Sequence, residues 1–171
     1  MENKIPAEAA ISLAETTQPE PISWLAYVTW PVAYKEILAQ DQITYMLEQM
    51  YTPAALQQQM AEGQTFLLLS YENQPVAFAA YSLHHPAERI FKLNKLYIHP
   101  EHQGKGYGQR LIEEVVKRTQ ALGGQALELN VHRSNPAQFF YQKNGFQIHQ
   151  TLDIPYGPYT LNDYIMRKSL V

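Results

Sequence analysis

The chain has 171 residues, a formal net charge of −3, a hydrophobic fraction of 46% and no cysteine. This length suits one domain with a single core, and the lack of cysteine excludes a disulfide framework, a thiolate metal site and a cysteine nucleophile. No basic stripe supports nucleic-acid binding, no apolar stretch approaches membrane-spanning length, and residues 1–10 carry no signal pattern, so we expect a cytoplasmic protein that binds neither nucleic acid nor membrane.

The N-terminal part of the chain is predicted to be mostly helical. We expect a flexible segment over residues 1–8 and a single domain over residues 9–171, opening with a short strand at residues 9–15. Residues 22–38 favour a helix that Pro31 should break or kink, because an internal proline removes an N–H donor. A second helix is predicted at residues 42–50. Thr52 and Pro53 are typical of an N-cap and a first-turn proline, and this third helix should reach Ala61 and stop at Gly63.

The pattern then changes to strands. Residues 65–71, 75–83 and 90–98 predict a three-stranded meander, and alternation in its last strand puts Phe91, Leu93, Lys95 and Tyr97 on one side. The next helix starts near Gly108, and a single apolar stripe predicts its buried face: Leu111, Ile112, Val115, Val116 and Leu122. A strand at 126–131, a short helix at 136–143 and two strands at 146–154 and 161–168 complete a mixed α/β (α+β) domain.

Residues 103–109, which read Gln-Gly-Lys-Gly-Tyr-Gly-Gln, lie between the last meander strand and this helix. Alternate glycines allow several backbone N–H groups to face one ligand, and a helix N-terminus adds its unpaired N–H groups and positive dipole end. Such a corner suits a phosphate or pyrophosphate. The residue after Lys105 is not Ser or Thr, which excludes a Walker loop, and the spacing of Gly106 and Gly108 excludes a dinucleotide fingerprint. An ordinary turn before a helix is the alternative.

Several short motifs occur in a fixed order: Leu96-Tyr97-Ile98, Gln103-x-x-Gly106-x-Gly108, Leu129-x-Val131, Asn135-x-Ala137, Phe140-Tyr141 and Gly145-Phe146. Over residues 65–146 this set resembles the GNAT superfamily of N-acetyltransferases. The resemblance implies a GNAT fold with a largely antiparallel, twisted sheet of about six or seven strands, splayed at a cleft for acetyl-CoA. Residues 153–157 and 162–164 look similar to the bacterial polyamine (spermidine/spermine) acetyltransferase branch.

The resemblance also implies a site. Tyr141 matches the family tyrosine that donates a proton to the departing thiolate, although a tyrosine among phenylalanines is also a common core residue. The implied acetyl-CoA contacts are Leu96, Tyr97, Ile98, Gln103, Gly104, Lys105, Gly106, Tyr107, Gly108, Gln109, Asn135 and Tyr141. Asn135 precedes Tyr141 by six residues instead of the usual seven, so it either contacts the cofactor or caps a helix. The general base is left unassigned among Asp153, Asp163, Tyr156, Glu36 and His99.

No metal site is predicted, because His84 and His85 are adjacent and should point to opposite faces of a strand. The sequence therefore favours an N-acetyltransferase that moves the acetyl group of acetyl-CoA directly to a primary amine. A polyamine-like small molecule is the first expected acceptor. A peptide or protein amine and a non-catalytic acyl-CoA-binding module are the alternatives, and a homodimer is possible for this family.

Overall fold

One seven-stranded sheet runs through the residues that the computed structural model describes, 10–171, and the predicted flexible segment 1–8 lies outside them. The strands are β1 (Ile11–Thr16), β2 (Thr65–Tyr71), β3 (Gln74–His85), β4 (Ile90–Ile98), β5 (Ala126–His132), β6 (Gln147–Tyr156) and β7 (Tyr159–Ser169). The helices are α1 (Pro19–Ala33), α2 (Gln40–Met50), α3 (Pro53–Ala61), α4 (Tyr107–Ala121) and α5 (Ala137–Lys143). The strands lie in the sheet in the order β1-β2-β3-β4-β5-β7-β6. The order and type of the predicted helices and strands are confirmed.

The helices cover the sheet on two faces. On one face, the buried residues of α4 pack against β2 to β5 and form a core around Leu111, Val115 and Leu127. On the other face, α1, α2 and α3 pack against β2 and β3 around Leu25, Leu56 and Phe78. We call these the α4 face and the α1–α3 face. The first half of the sheet is therefore sandwiched between helices, whereas β6 at its far edge is mostly exposed.

Local sequence signals explain where several helices begin and end. The Thr52 hydroxyl accepts a hydrogen bond from the Ala55 N–H (3.2 Å), so the predicted N-cap of α3 is confirmed. Pro31 was predicted to break or kink the helix at residues 22–38, and the break is wrong, because α1 continues through Pro31 and ends at Ala33. Leu122 was assigned wrongly to the buried stripe of α4: it follows the helix and is 52% exposed, while Thr119 is fully buried.

A β-bulge changes the faces of β4. Ala80 pairs with Lys95 and Tyr81 pairs with Leu93, which leaves Asn94 without a direct partner. The extra residue shifts the alternation, so Leu93 faces α4 while Lys95 and Tyr97 face the α1–α3 side. The predicted grouping of Lys95 and Tyr97 with Phe91 and Leu93 is therefore wrong. The bulge turns the Lys95 side chain toward the α1–α3 face, where the cavity described below opens.

The sheet splays between its two central parallel strands. β4 and β5 pair only from Ile90 to Leu93 and from Ala126 to Leu129. Beyond these residues β4 remains paired with β3, and β5 remains paired with β7. One edge of β4 is therefore free of strand partners over its last residues. Among the described residues, no helix is long and apolar enough to span a membrane.

Candidate active site

The glycine loop forms one end of the cleft between β4 and β5. Gly104 and Gly106 adopt left-handed backbone conformations (φ +75° and +80°), which only glycine adopts at little cost. Gly106 is the N-cap of α4, and the first intrahelical bond runs from the Arg110 N–H to its carbonyl (3.1 Å). The N–H groups of Tyr107, Gly108 and Gln109 precede that bond and have no partner within the helix. This end of the cleft can bind an anion such as a pyrophosphate.

Gly108 has a different role from the other two glycines. It lies inside α4, and a Cβ added there would approach Phe140 Cζ to 3.0 Å and Ile98 Cδ1 to 3.1 Å. A glycine at this position therefore lets α4 approach both α5 and β4. The Gln103 side chain also stabilises the corner, since its Nε2 donates to the Ile98 carbonyl (3.1 Å).

A cavity of about 650 Å³ follows the splay from the glycine loop toward the α1–α3 face. Its walls include all but one of the residues predicted from the sequence, and they are Leu96, Tyr97, Ile98, Gln103, Gly104, Gly106, Tyr107, Gly108, Gln109, Asn135 and Tyr141. The exception is Lys105, which is exposed and approaches His102 Nδ1 with its Nζ at 3.5 Å. Elements far apart in the sequence thus meet in a single cleft.

Tyr141 lies in this cavity on α5, packed against Phe140 and Phe146 with ring centroids 5.5 and 5.8 Å apart. Burial raises its pKa, and the proximity of the Tyr34 phenol adds to this rise. The hydroxyls of Tyr34 and Tyr97 are hydrogen bonded to each other at 2.8 Å and line the same space. The Tyr141 hydroxyl therefore stays protonated near neutral pH and can act as a proton donor.

The comparison with known families decides the assignment. A family model described as an acetyltransferase (GNAT) domain matches residues 34–152. This chain belongs to the GNAT acetyltransferase family. The protein is thus an acyltransferase, and acetyl-CoA fits as its cosubstrate.

Individual relatives agree with this family. Over 157 residues, 91% of this chain and 99% of the relative, the protein is 27% identical to an uncharacterised N-acetyltransferase of Mycobacterium tuberculosis. Over 87 residues, 50% of this chain and 58% of the relative, it is 32% identical to the ribosomal protein bS18-alanine N-acetyltransferase of Haemophilus influenzae. The crystal structure of the PaiA N-acetyltransferase from Thermoplasma acidophilum, in complex with coenzyme A, has a TM-score of 0.79 at 24% identity and covers 93% of this chain and 98% of that one. This likeness confirms the predicted GNAT fold.

Asn135 lies at the start of α5 and at the wall of the cavity in this GNAT chain. Its Oδ1 accepts a hydrogen bond from the Ala137 N–H (2.9 Å), so the side chain holds the start of α5. The residue also lines the cavity. Pro136, rather than Asn135, occupies the formal N-cap position of that helix.

Of the five candidate bases of this GNAT protein, one lines the cavity. Asp163 on β7 lines it and is 9% exposed, whereas the other four candidates do not line it. Asn130 Nδ2 donates to Asp163 Oδ2 at 3.3 Å. Burial raises the Asp163 pKa above its usual value, and this effect outweighs the opposing effects of the Asn130 hydrogen bond and of His132 and Lys92. The sequence pattern gave no reason to prefer Asp163, because only the pairing of β7 with β5 brings it to the cleft.

His84 and His85 were expected on opposite faces, but their ring centroids are 4.1 Å apart, because the strand register shifts between Leu83 and His85. Together with Glu128 they offer three potential ligand atoms within 4.8 Å. Glu128 already accepts two hydrogen bonds from the Arg167 guanidinium, at 2.5 and 2.9 Å. The Glu128 carboxylate is therefore already engaged in an ion pair.

Proposed function

We propose that this protein, through a single domain over residues 9–171, transfers the acetyl group of acetyl-CoA to a primary amine of a small molecule. The observation that supports this proposal best is the splayed β4–β5 cleft, which has the glycine loop at one end and Tyr141 along its wall. Direct attack with both substrates bound is the proposed route, since the chain has no cysteine that would carry the acetyl group. A cytoplasmic location and a homodimer remain predictions.

The cleft offers acetyl-CoA two kinds of contact. The N–H groups of the loop and the first turn of α4 would hold its pyrophosphate. The free backbone edge of β4 at Leu96, Tyr97 and Ile98 would pair with the amide-containing pantetheine arm, as an edge strand pairs with an extended peptide. Acetyl-CoA supplies an activated acetyl group. The chain has only to hold it, exclude water and transfer the two protons that the amine nitrogen loses.

Tyr141 and Asp163 are the proposed groups for these two protons. An alkyl ammonium, with a pKa near 10.4, must lose a proton before its nitrogen can attack, and Asp163 is the carboxylate available in the cavity to attract and deprotonate it. Attack by the free amine forms the C–N bond, and the C–S bond then breaks. The departing thiolate gains a proton from the buried Tyr141 hydroxyl, and the second proton that the nitrogen loses restores that hydroxyl. The hydrogen-bonded hydroxyls of Tyr34 and Tyr97 line the same cavity.

Replacing Gly106 with alanine should weaken coenzyme A binding by about tenfold, because a left-handed alanine costs about 1–2 kcal/mol and distorts the anion-binding N–H groups. Gly63 is a matched control. It also has a positive φ (+109°) and, like Gly106, open space where a Cβ would lie. Calorimetric titration of both variants with coenzyme A measures the effect. Equal affinities for the two variants would contradict the assigned role of the loop.

Two acceptor classes follow from different observations. The tail resemblance makes a polyamine the first acceptor to test, and Asp163 would receive one of its ammonium groups. A peptide N-terminus is the second, because one relative is the ribosomal protein bS18-alanine N-acetyltransferase. Among the described cavity-lining residues Asp163 is the only carboxylate, so further ammonium groups of a polyamine would find no partner of this kind.

Thiol release from acetyl-CoA in the presence of an amine panel tests the proposal. The panel contains spermidine, simple alkyl amines, amino acids and a peptide with an N-terminal alanine. The protein adds no thiol background because it has no cysteine. We expect release with one or more of the small amines and none without an amine. Release with the peptide alone would replace the small-molecule acceptor by a peptide.

A further inference from the structure

Lys95 is a buried cation whose charge has no acidic partner. The residue is only 7% exposed, and no carboxylate of the described residues lies within 4 Å of its Nζ. Its Nζ donates to Gln64 Oε1 at 2.8 Å and lies 5.3 Å from the Phe66 ring centroid and 5.8 Å from that of Tyr51. One amide oxygen and two aromatic faces leave two ammonium protons without a hydrogen-bond acceptor among the described residues.

Burial of this ammonium group lowers the free energy of unfolding. Burial and, to a smaller extent, the positive charge of nearby Lys92 together lower the pKa of Lys95 to about 7. Lys92 itself differs, because Asp163 and Glu128 supply negative charge close to it. A buried, uncompensated ammonium lowers stability unless a ligand supplies the missing charge.

Lys95 and Gln64 both line the cavity described above. Two further wall residues, Thr29 and Trp30, are 3% and 2% exposed, and their polar side-chain atoms have no hydrogen-bond partner. The charged lining residues of the described chain are Lys92, Lys95 and Asp163, so positive charge exceeds negative charge there. Such a wall suits an acceptor with an anionic group more than one with several ammonium groups.

We propose that Lys95, positioned by Gln64, binds a carboxylate of the acceptor, so that the substrate is a primary amine with a carboxylate several bonds away. This inference rests on the proposed function. Lys95 and Tyr97 leave the same face of β4 two residues apart, roughly 7 Å at about 3.3 Å per residue. Tyr97 is hydrogen bonded to Tyr34, and Tyr34 lies close enough to Asp163 to feel its charge. An amine held by Asp163 near Tyr97 and a carboxylate at Lys95 would therefore be separated by a short alkyl chain. On this reading a polyamine is a poor acceptor, because its distal ammonium would meet Lys95.

Three amines of equal chain length separate the possibilities: ω-aminohexanoate, hexylamine and diaminohexane, which end in a carboxylate, a methyl group and an ammonium. We expect kcat/KM for aminohexanoate to exceed that for hexylamine by about tenfold or more, as for a charge-assisted hydrogen bond, with diaminohexane the poorest. In Lys95→Met the aminohexanoate-to-hexylamine ratio should fall to about one. Lys92→Met is the matched control and should keep the ratio.

A ratio that survives in Lys95→Met, or one lost only in Lys92→Met, overturns the proposal. Turnover of hexylamine without any preference for aminohexanoate also overturns it and leaves the proposed function standing. If none of the three amines is acetylated, calorimetric titration of the coenzyme A complex with hexanoate decides. Binding that is lost in Lys95→Met supports the anion subsite, and binding equal in both proteins or absent from both rejects it.

Thermal unfolding of Lys95→Met checks that this variant is folded. Methionine removes the uncompensated charge, so the Tm of Lys95→Met should rise by about 2–4 °C, equivalent to about 1 kcal/mol for a chain of this size. The pKa of Lys95 is lower in the folded chain than in the unfolded chain, so between these two pKa values the unfolded chain binds more protons. The wild type therefore becomes more stable as the pH rises through this window. The gain in Tm should therefore be larger near pH ~6 than near pH ~9. A lower Tm at both pH values would contradict the assigned burial cost.

Discussion

Replacing Tyr141 with phenylalanine should lower kcat by about 10- to 100-fold, a modest effect for loss of a general acid because a thiol of pKa near 8.5 is a fair leaving group. The dissociation constant of coenzyme A should change by less than about twofold, since the ring and its packing against Phe140 and Phe146 remain. Steady-state kinetics with a saturating amine, together with calorimetric titration of coenzyme A, measure both quantities.

Tyr164→Phe is the matched control for this variant. Tyr164 also packs partly buried against the α4-face core, but it does not line the cavity. Its kcat should equal that of the wild type. An unchanged kcat in Tyr141→Phe would remove Tyr141 from the mechanism, and an equal loss in both variants would indicate a packing effect instead.

Replacing Asp163 with asparagine should lower kcat/KM by about 100-fold near pH ~7, because the variant must wait for amine that has already lost its proton in solution. The defect should shrink by up to about tenfold for each pH unit toward the amine pKa near 10.4, as free amine becomes abundant. Burial raises the pKa of the Asp163 carboxyl, so wild-type activity should fall at a higher pH than the usual aspartate value as pH is lowered.

Asp153→Asn provides the comparison for Asp163. Asp153 lies on the neighbouring strand β6, is 64% exposed at its side chain, and forms a surface ion pair with Arg133 at 2.5 Å. Its loss should change kcat/KM little, since exposed ion pairs contribute little and the residue is outside the cavity. A pH-independent defect in Asp163→Asn would show that Asp163 acts through structure or substrate binding rather than by accepting a proton.

Local patterns were sufficient for much of the fold. Adjacent residues determine the strand at residues 65–71 and the Thr52-Pro53 helix start, and the structure has both elements where they were predicted. The ordered motifs also led to the cleft, since the predicted acetyl-CoA contacts between Leu96 and Gln109 line one cavity, with the exception of Lys105. Short-range periodicity and turn chemistry determine such features.

Features that depend on a partner strand were not predictable in this way. The bulge at Asn94 exists because of how β4 pairs with β3, where the Asn94 side chain also donates to the Ser82 hydroxyl at 2.9 Å. It reverses the face of Lys95 and so creates the proposed anion subsite. Asp163 reaches the cavity only because β7 pairs with β5. The acceptor side of the site is therefore built from long-range pairings, whereas the acetyl-CoA side is built from contiguous motifs.

Transfer of an isotopically labelled acetyl group from acetyl-CoA to an amine tests the central claim most directly. The protein is mixed with labelled acetyl-CoA and the best amine of the panel, and free thiol and labelled amide are measured together. The proposed function predicts one labelled amide for each thiol released, with release that depends on the amine concentration. Tight coenzyme A binding without amide formation, or thiol release without labelled amide, would contradict it.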